Sequence, residues 1–156
     1  MADFERELSK LLEKEQTVLE NLDKVAGEKS SVLAGGDIEA LAKLLDVEQP
    51  LAMQCQSIET KRIDLLRRNK MLGKTLREIC SLADPEFKDV LQSELNLLTD
   101  VTKRLKEKND LNNELTKSRL EFYGKMRSVL TKPVYGYDKE PAEQTEADMS
   151  IIDRKI

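Results

Sequence analysis

The strongest constraint on the fold is a seven-residue repeat of apolar residues between Gly35 and Asn69. Apolar side chains recur there at alternating steps of three and four, with Glu48, Arg62 and Asn69 as polar exceptions. A helix with such a seam must lie along other helices, because a narrow apolar stripe is buried only against a matching one. The polar seam residues are expected to fix helix register, with a binding role as the alternative.

The repeat continues on both sides, and the preceding and following segments are predicted to be the two partners of this central helix. Gly35 and Gly36 suit a helix end, and Asp37 suits the cap of the next helix. Asp84 and Pro85 are typical of a further helix start. The short connection at Gly35 requires antiparallel neighbours. We therefore predict an all-α fold, an elongated antiparallel three-helix bundle or coiled coil with a long helical hairpin, its helices covering about 3–34, 37–81 and 85–131.

Two residues weaken the second predicted helix. Pro50 lacks a backbone N–H and clashes with the preceding turn, so we expect a bend there. Gly73 is a weaker point, since glycine is a poor helix former. The repeat stays in phase past Pro50, which favours a kink over a break.

The domain prediction divides the chain into a bundle over residues 1–132 and a flexible C-terminal tail over residues 133–156. The tail begins at Pro133 and carries six acidic residues together with further Pro and Gly. Such a composition cannot bury a core of its own.

The residue content argues against catalysis and against a bound cofactor or metal. The chain has no His, and its two cysteines have no metal-binding spacing. Its many carboxylates lie on solvated helices, where nothing shifts a pKa. We therefore predict a protein that is not an enzyme and has no catalytic, cofactor or metal residues.

Nucleic acid and membranes are also poor candidates for partners. The net charge is −4, and the basic residues between Lys103 and Arg119 alternate with acidic ones and lack an aromatic to stack on a base. This segment is interpreted as a solvated helix face. No apolar run reaches the length of about 18 residues that spans a bilayer. The acidic N-terminus has no apolar segment of a signal peptide, so we expect a cytoplasmic protein.

One stretch of the predicted hairpin is too long for the first helix to cover. Antiparallel pairing sets Phe4 near Leu66, which leaves residues 72–98 beyond the end of the first helix. An exposed apolar patch usually marks an interface, so a second copy of the chain or a partner could cover it. The alternative is that the helices wrap tightly enough to bury most of these side chains. The apolar residues concerned are Leu72, Leu76, Ile79, Leu82, Phe87, Val90, Leu91, Leu95, Leu97 and Leu98.

A second concentration of apolar residues lies where the third predicted helix meets the tail. Four of the six aromatic residues of the chain fall between Phe122 and Tyr137. Aromatic residues and Met are favoured at interfaces. Packing against the first helix is expected to use Phe122 and Val129 and explains the tyrosines less well. The predicted partner-binding residues are Leu120, Phe122, Tyr123, Met126, Val129, Leu130, Val134, Tyr135 and Tyr137.

Several short motifs occur in an order that one known family shares. They are the stretch VLAGGDIEALAKLLDVEQPL, which contains Leu44, Leu45, Glu48 and Gln49, then Lys61-Arg62 on the second helix, and the VYG at Tyr135. On these residues the chain resembles the FlgN-type flagellar export chaperones over nearly its whole length. Pro50 directly after the Glu-Gln pair departs from the family pattern.

The resemblance implies a cytosolic chaperone of the flagellar type III export system. Such proteins bind hook-associated proteins of the hook–filament junction, keep them from assembling early and deliver them to the export gate. In the family, the C-terminal part of the chain binds the substrate, which here corresponds to the end of the third helix and the tail. The alternative hypothesis is a structural coiled-coil adaptor or oligomer without a client, for example a homodimer through residues 72–98.

Overall fold

The computed structural model describes residues 2–130, and these form an all-helical structure without a strand in that range. Residues 131–156, the region of the predicted tail, lie outside the described part of the chain. The helices are α1 (Ala2–Gly35), α2 (Ile38–Arg68), α3 (Leu76–Leu82) and α4 (Pro85–Leu130).

The element that packs along both of the other long helices is α1, so the prediction that the second helix is central is wrong. Helix α2 runs antiparallel to α1, since Arg68 pairs with Glu7 while Glu48, twenty residues earlier, pairs with Lys29. Helix α4 runs parallel to α1. The physical reason is the wide apolar stripe of α1, which buries side chains on two adjoining faces.

The parallel course of α1 and α4 follows from contacts at both ends. The Asp84 N–H donates to the Glu5 carboxylate over 2.8 Å near the start of both helices. At the other end, the Arg119 Nε donates to the carbonyl oxygen of Leu33 over 2.9 Å. The two helices are therefore in register over the whole length of α1.

The turn between α1 and α2 forms as the sequence predicts. Gly36 has a φ of +74°, and its N–H donates to the Val32 carbonyl oxygen over 2.9 Å. The Asp37 carboxylate accepts from the Ala40 N–H over 3.1 Å and caps α2. Glycine adopts this left-handed conformation without a steric cost, which explains the sharp reversal of the chain. The predicted helix start at Pro85 is also confirmed.

The prediction of one continuous helix over 37–81 is wrong. Helix α2 passes through Pro50 without a break but ends at Arg68, and α3 begins only at Leu76. The connection contains two residues with positive φ, Lys70 at 57° and Gly73 at 90°.

Local capping explains why the helix stops there. The Asn69 side chain donates to the Leu65 carbonyl oxygen over 2.8 Å, which satisfies an acceptor at the end of α2. Thr75 and Glu78 then form a capping box, in which the Thr75 hydroxyl accepts from the Glu78 N–H and the Glu78 carboxylate accepts from the Thr75 N–H. The seven-residue repeat would favour one continuous helix here, but the cap that ends α2 and the capping box that begins α3 outweigh it.

The break removes most of the predicted exposed patch over residues 72–98. Because α3 folds onto α4, the predicted long hairpin does not form, and part of the predicted set is buried while part of it stays exposed as expected. The buried residues of that set are Leu76, Ile79, Leu91, Leu95 and Leu98, Phe87 packs against the core, and Leu72, Leu82, Val90 and Leu97 stay exposed.

The polar seam residues of α2 make ion pairs inside the fold. Arg62 is buried, with its Nη2 2.7 Å from the Glu59 carboxylate and its Nη1 3.7 Å from that of Glu15 on α1. Glu48 pairs with Lys29 over 3.1 Å. These contacts support the prediction that the polar seam residues fix the register of the helices. A buried charge that loses its partner is costly, and the pairs between α1 and α2 require this register.

Candidate partner-binding surface

Helix α4 extends well past the end of its neighbour α1. The guanidinium of Arg119 donates to the carbonyl oxygens of Leu33 and Ala34, in the last turn of α1. From Leu120 to Leu130, α4 continues for a length of about 16 Å at the usual helical rise. Every residue of this extension is exposed. We call it the α4 extension.

The face that α4 turns toward α1 follows a seven-residue repeat. Lys108 donates to the Asp23 carboxylate over 2.9 Å, and the Asn112 amide donates to the Ala26 carbonyl oxygen over 3.0 Å. Residues at these spacings lie on one face of a helix. The full seam reads Val101, Leu105, Lys108, Asn112, Leu115, Arg119, Phe122, Met126 and Val129.

The seam is covered by α1 as far as Arg119 and uncovered beyond it. Phe122 is 51% exposed, Met126 45% and Val129 70%. The expectation that Phe122 and Val129 pack against the first helix is therefore wrong. The reason is length, because α1 ends at Gly35, level with Arg119, while the apolar repeat of α4 continues.

The other predicted residues of the α4 extension lie at the sides of this seam. At about 100° per residue, Tyr123 and Leu130 fall on one edge of it, and Leu120 falls on a different side of the helix. All three are exposed. The rings of Phe122 and Tyr123 meet edge to face, with their centres 5.9 Å apart. Val134, Tyr135 and Tyr137 lie outside the described residues.

These side chains of the α4 extension form an apolar face of α4 against which none of residues 2–130 packs. Five side chains form one stripe, composed of two aromatics, a Met and two aliphatics. An amphipathic helix from another protein buries its apolar residues against this kind of stripe, by the same contacts that α1 makes further down. The members of the stripe are Phe122, Tyr123, Met126, Val129 and Leu130.

Sequence reasoning missed a second group of exposed apolar residues, in the first half of α2. The group begins after the turn at Gly36, where an added Cβ would meet the Arg119 guanidinium at 3.3 Å, so its first member lies near the start of the α4 extension. The signal is weak, because these residues sit off the main repeat of α2. The exposed residues are Ile38, Leu45, Val47 and Met53.

Sequence reasoning also misjudged Asn112, which it assigned to a solvated face. Asn112 is only 4% exposed, and its amide oxygen accepts from the Ser30 hydroxyl over 2.6 Å. Its position in the seam, seven residues after Leu105, is the signal that could have found it. The middle of the α1–α4 contact is therefore polar and held by specific hydrogen bonds.

Residues 2–130 contain no group of three or more carboxylate or cysteine side chains placed to hold a metal ion, and no helix among them is long and apolar enough to cross a membrane. Burial raises the pKa of the Cys80 thiol, and the charge of Glu94 raises it further. Cys80 is thus a buried, protonated thiol and a poor nucleophile.

These features define an all-helical structure over residues 2–130, in which α4 extends beyond the end of α1. The model of the FlgN protein family matches residues 1–144, and the chain belongs to that family. Membership in this family implies that the protein is a flagellar type III export chaperone. The family is not known to be enzymatic. Comparisons with curated proteins and with solved structures give no match.

Proposed function

We propose that this protein is a cytoplasmic export chaperone that binds hook-associated proteins of the hook–filament junction, prevents their premature assembly and delivers them to the flagellar export gate. The observation that carries the proposal is the α4 extension, where a seam that α1 covers elsewhere is open to a partner. Family membership supports the role of an export chaperone, and the exposed stripe supports this surface as the place where a client binds.

In this mechanism the client contributes an amphipathic helix that continues the line of α1. Its apolar residues cover Phe122, Met126 and Val129, with Tyr123 and Leu130 at the edge. Each large apolar side chain that becomes fully buried contributes about 1.5–3 kcal/mol before the costs of association, and less when it starts half-exposed. A stripe of five therefore supports binding that is specific and still reversible, as delivery to an export gate requires.

The proposal covers the rest of the predicted site as well. Val134, Tyr135 and Tyr137 follow the α4 extension in sequence, and we propose that the client contacts them as well. For the scaffold, we propose an elongated three-helix bundle in which α2 runs antiparallel to α1 and α4 runs parallel to it, so that the α4 extension is held beyond the end of α1.

A structural adaptor or oligomer without a client is the second candidate. It is supported by exposed apolar residues away from the α4 extension, which a second copy could cover. Within residues 72–98, the region of the proposed homodimer, the exposed apolar residues are Leu72, Leu82, Val90 and Leu97.

Size-exclusion chromatography with light scattering separates the two candidates. The chaperone proposal predicts a complex with a purified hook-associated protein, and loss of that complex when residues 120–156 are deleted. Tyr123→Ala and Tyr135→Ala should weaken the complex while the helical circular dichroism signal stays constant. The adaptor would be favoured if the protein forms only its own dimer and does not bind the client, with or without residues 120–156.

A further inference from the structure

A groove runs between α3 and α4, away from the α4 extension. It consists of two adjoining depressions of about 530 and 420 Å³. Arg77 of α3 and Thr99 of α4 line both of them. Along α4 the lining extends from Gln92 to Lys106, a length of about 21 Å.

The two ends of the groove differ in character. One end is lined by the cations Arg77, Lys103 and Lys106. The other is lined by the amides of Gln92 and Asn96, with Asp100 beside them. Leu95 contributes an apolar wall. The groove therefore has a cationic end and a neutral to weakly acidic end.

Two of the cations at this groove, Arg77 and Lys103, make no ion pair of the kind that other cations of α4 make with α1. Arg104 pairs with Glu20 over 3.1 Å, and Lys108 pairs with Asp23 over 2.9 Å, both across to α1. By contrast, Arg77 and Lys103 have no ion pair with any acidic side chain among residues 2–130. Their charges are thus available to an external anion.

We propose that this groove binds a short acidic peptide segment of a partner protein, in extended form, with its carboxylates at the Arg77–Lys103 end. A groove of about 21 Å accommodates roughly six extended residues at about 3.3 Å each. Carboxylates satisfy the cations there, and the amides of Gln92 and Asn96 can bond a peptide backbone. This site is separate from the α4 extension and does not depend on the client proposal.

A peptide fits the groove better than nucleic acid does. No aromatic side chain lines the groove to stack on a base. The net charge of −4 repels a long polyanion, whereas a segment of six residues meets mainly the local cations.

The test uses the full-length protein and a fluorescein-labelled peptide of sequence Asp-Glu-Glu-Leu-Ser-Gly, with fluorescence anisotropy as the readout. The matched peptide Asn-Gln-Gln-Leu-Ser-Gly is the neutral control. We expect binding of the acidic peptide to be at least about tenfold tighter than that of the neutral one, and to weaken as salt is raised.

Charge reversal locates the site. The double variant Arg77→Glu, Lys103→Glu should lower the affinity at least about tenfold. Lys24→Glu, an exposed lysine of α1 outside the groove, should change it less than about twofold. Equal effects of the groove and control variants, or equal binding of both peptides, would overturn the proposal.

Inorganic phosphate tests the alternative that the groove is a phosphate-binding site. We expect phosphate to displace the peptide only as well as sodium chloride of the same ionic strength does. Displacement at much lower phosphate concentrations would mean a phosphate site and would contradict a peptide groove. Unchanged circular dichroism spectra of the variants would exclude unfolding as the cause of lost binding.

Discussion

The Nε of Arg119 on α4 lies 2.9 Å from the carbonyl oxygen of Leu33 on α1, and a second nitrogen of the same guanidinium bonds Ala34. The last carbonyls of a helix have no partner inside the helix, so this side chain caps α1. It also marks the level at which the covered seam of α4 ends. The stability of the α1 end and the boundary of the proposed binding surface thus depend on one residue.

Replacement of Arg119 tests its role as a cap. Arg119→Ala should lower the free energy of unfolding by about 1–3 kcal/mol, because it removes charged hydrogen bonds to carbonyls at the helix end. Urea unfolding followed by circular dichroism measures the change. The control is Lys117→Ala, an exposed residue on the same helix, which should stay within about 0.5 kcal/mol of the parent. Equal effects of the two variants would argue against the cap.

Two glycine-to-alanine changes should act in opposite directions. Gly36→Ala should destabilise by about 1–2 kcal/mol, since φ is +74° there and the new Cβ would lie 3.3 Å from the Arg119 guanidinium. Gly124→Ala, inside the α4 extension with nothing within 4 Å of the new Cβ, should stabilise that helix by up to about 1 kcal/mol. Thermal unfolding of both variants measures the effects, and a stable Gly36→Ala protein would contradict the described turn.

Glu94 should make the stability depend on pH. Burial raises its pKa above the ordinary value of 4.5, while the Ser9 hydroxyl bond lowers it and the charge of Glu13 raises it. Between the unfolded and folded pKa values, the folded state holds more protons than the unfolded state. The free energy of unfolding attributable to Glu94 therefore falls as pH rises from about 4.5 through the folded pKa.

Glu94→Gln removes this charge and can keep the bond from Ser9. We expect the variant to be more stable than the parent at pH 7, with a difference that shrinks as the pH is lowered toward 4.5. Urea unfolding at several pH values measures it, with exposed Glu121→Gln as the control. A difference that is the same at every pH would contradict the assigned pKa direction.

The sequence predicts most of the local structure because its signals are local. The Gly36–Asp37 turn, the start at Pro85 and the helical seams all follow from caps and apolar spacing. The break after Arg68 was missed, although Thr75 and Glu78 form a capping box, because the seven-residue repeat continues through the loop and predicts a helix there.

Local sequence signals do not predict that α1 is the central helix, nor the residue of α4 beyond which α1 no longer covers it. Both depend on which of several apolar stripes pair with one another, and on the parallel register that Glu5 and Asp84 fix. The tertiary arrangement decides that Phe122 is exposed, whereas the sequence pattern alone places it in a core seam. The prediction of binding residues on α4 rests on their composition, and their exposure follows from the length of α4 beyond α1.

The most direct test of the account is calorimetric titration of the protein with the C-terminal helical peptide of a hook-associated protein. The double variant Phe122→Ala, Met126→Ala removes two side chains of the uncovered seam and should weaken binding at least about tenfold. Leu111→Ala changes an exposed leucine of α4 that lies off the seam, and it should bind like the parent. Equal affinity of all three proteins would contradict the claim that the uncovered seam binds the client.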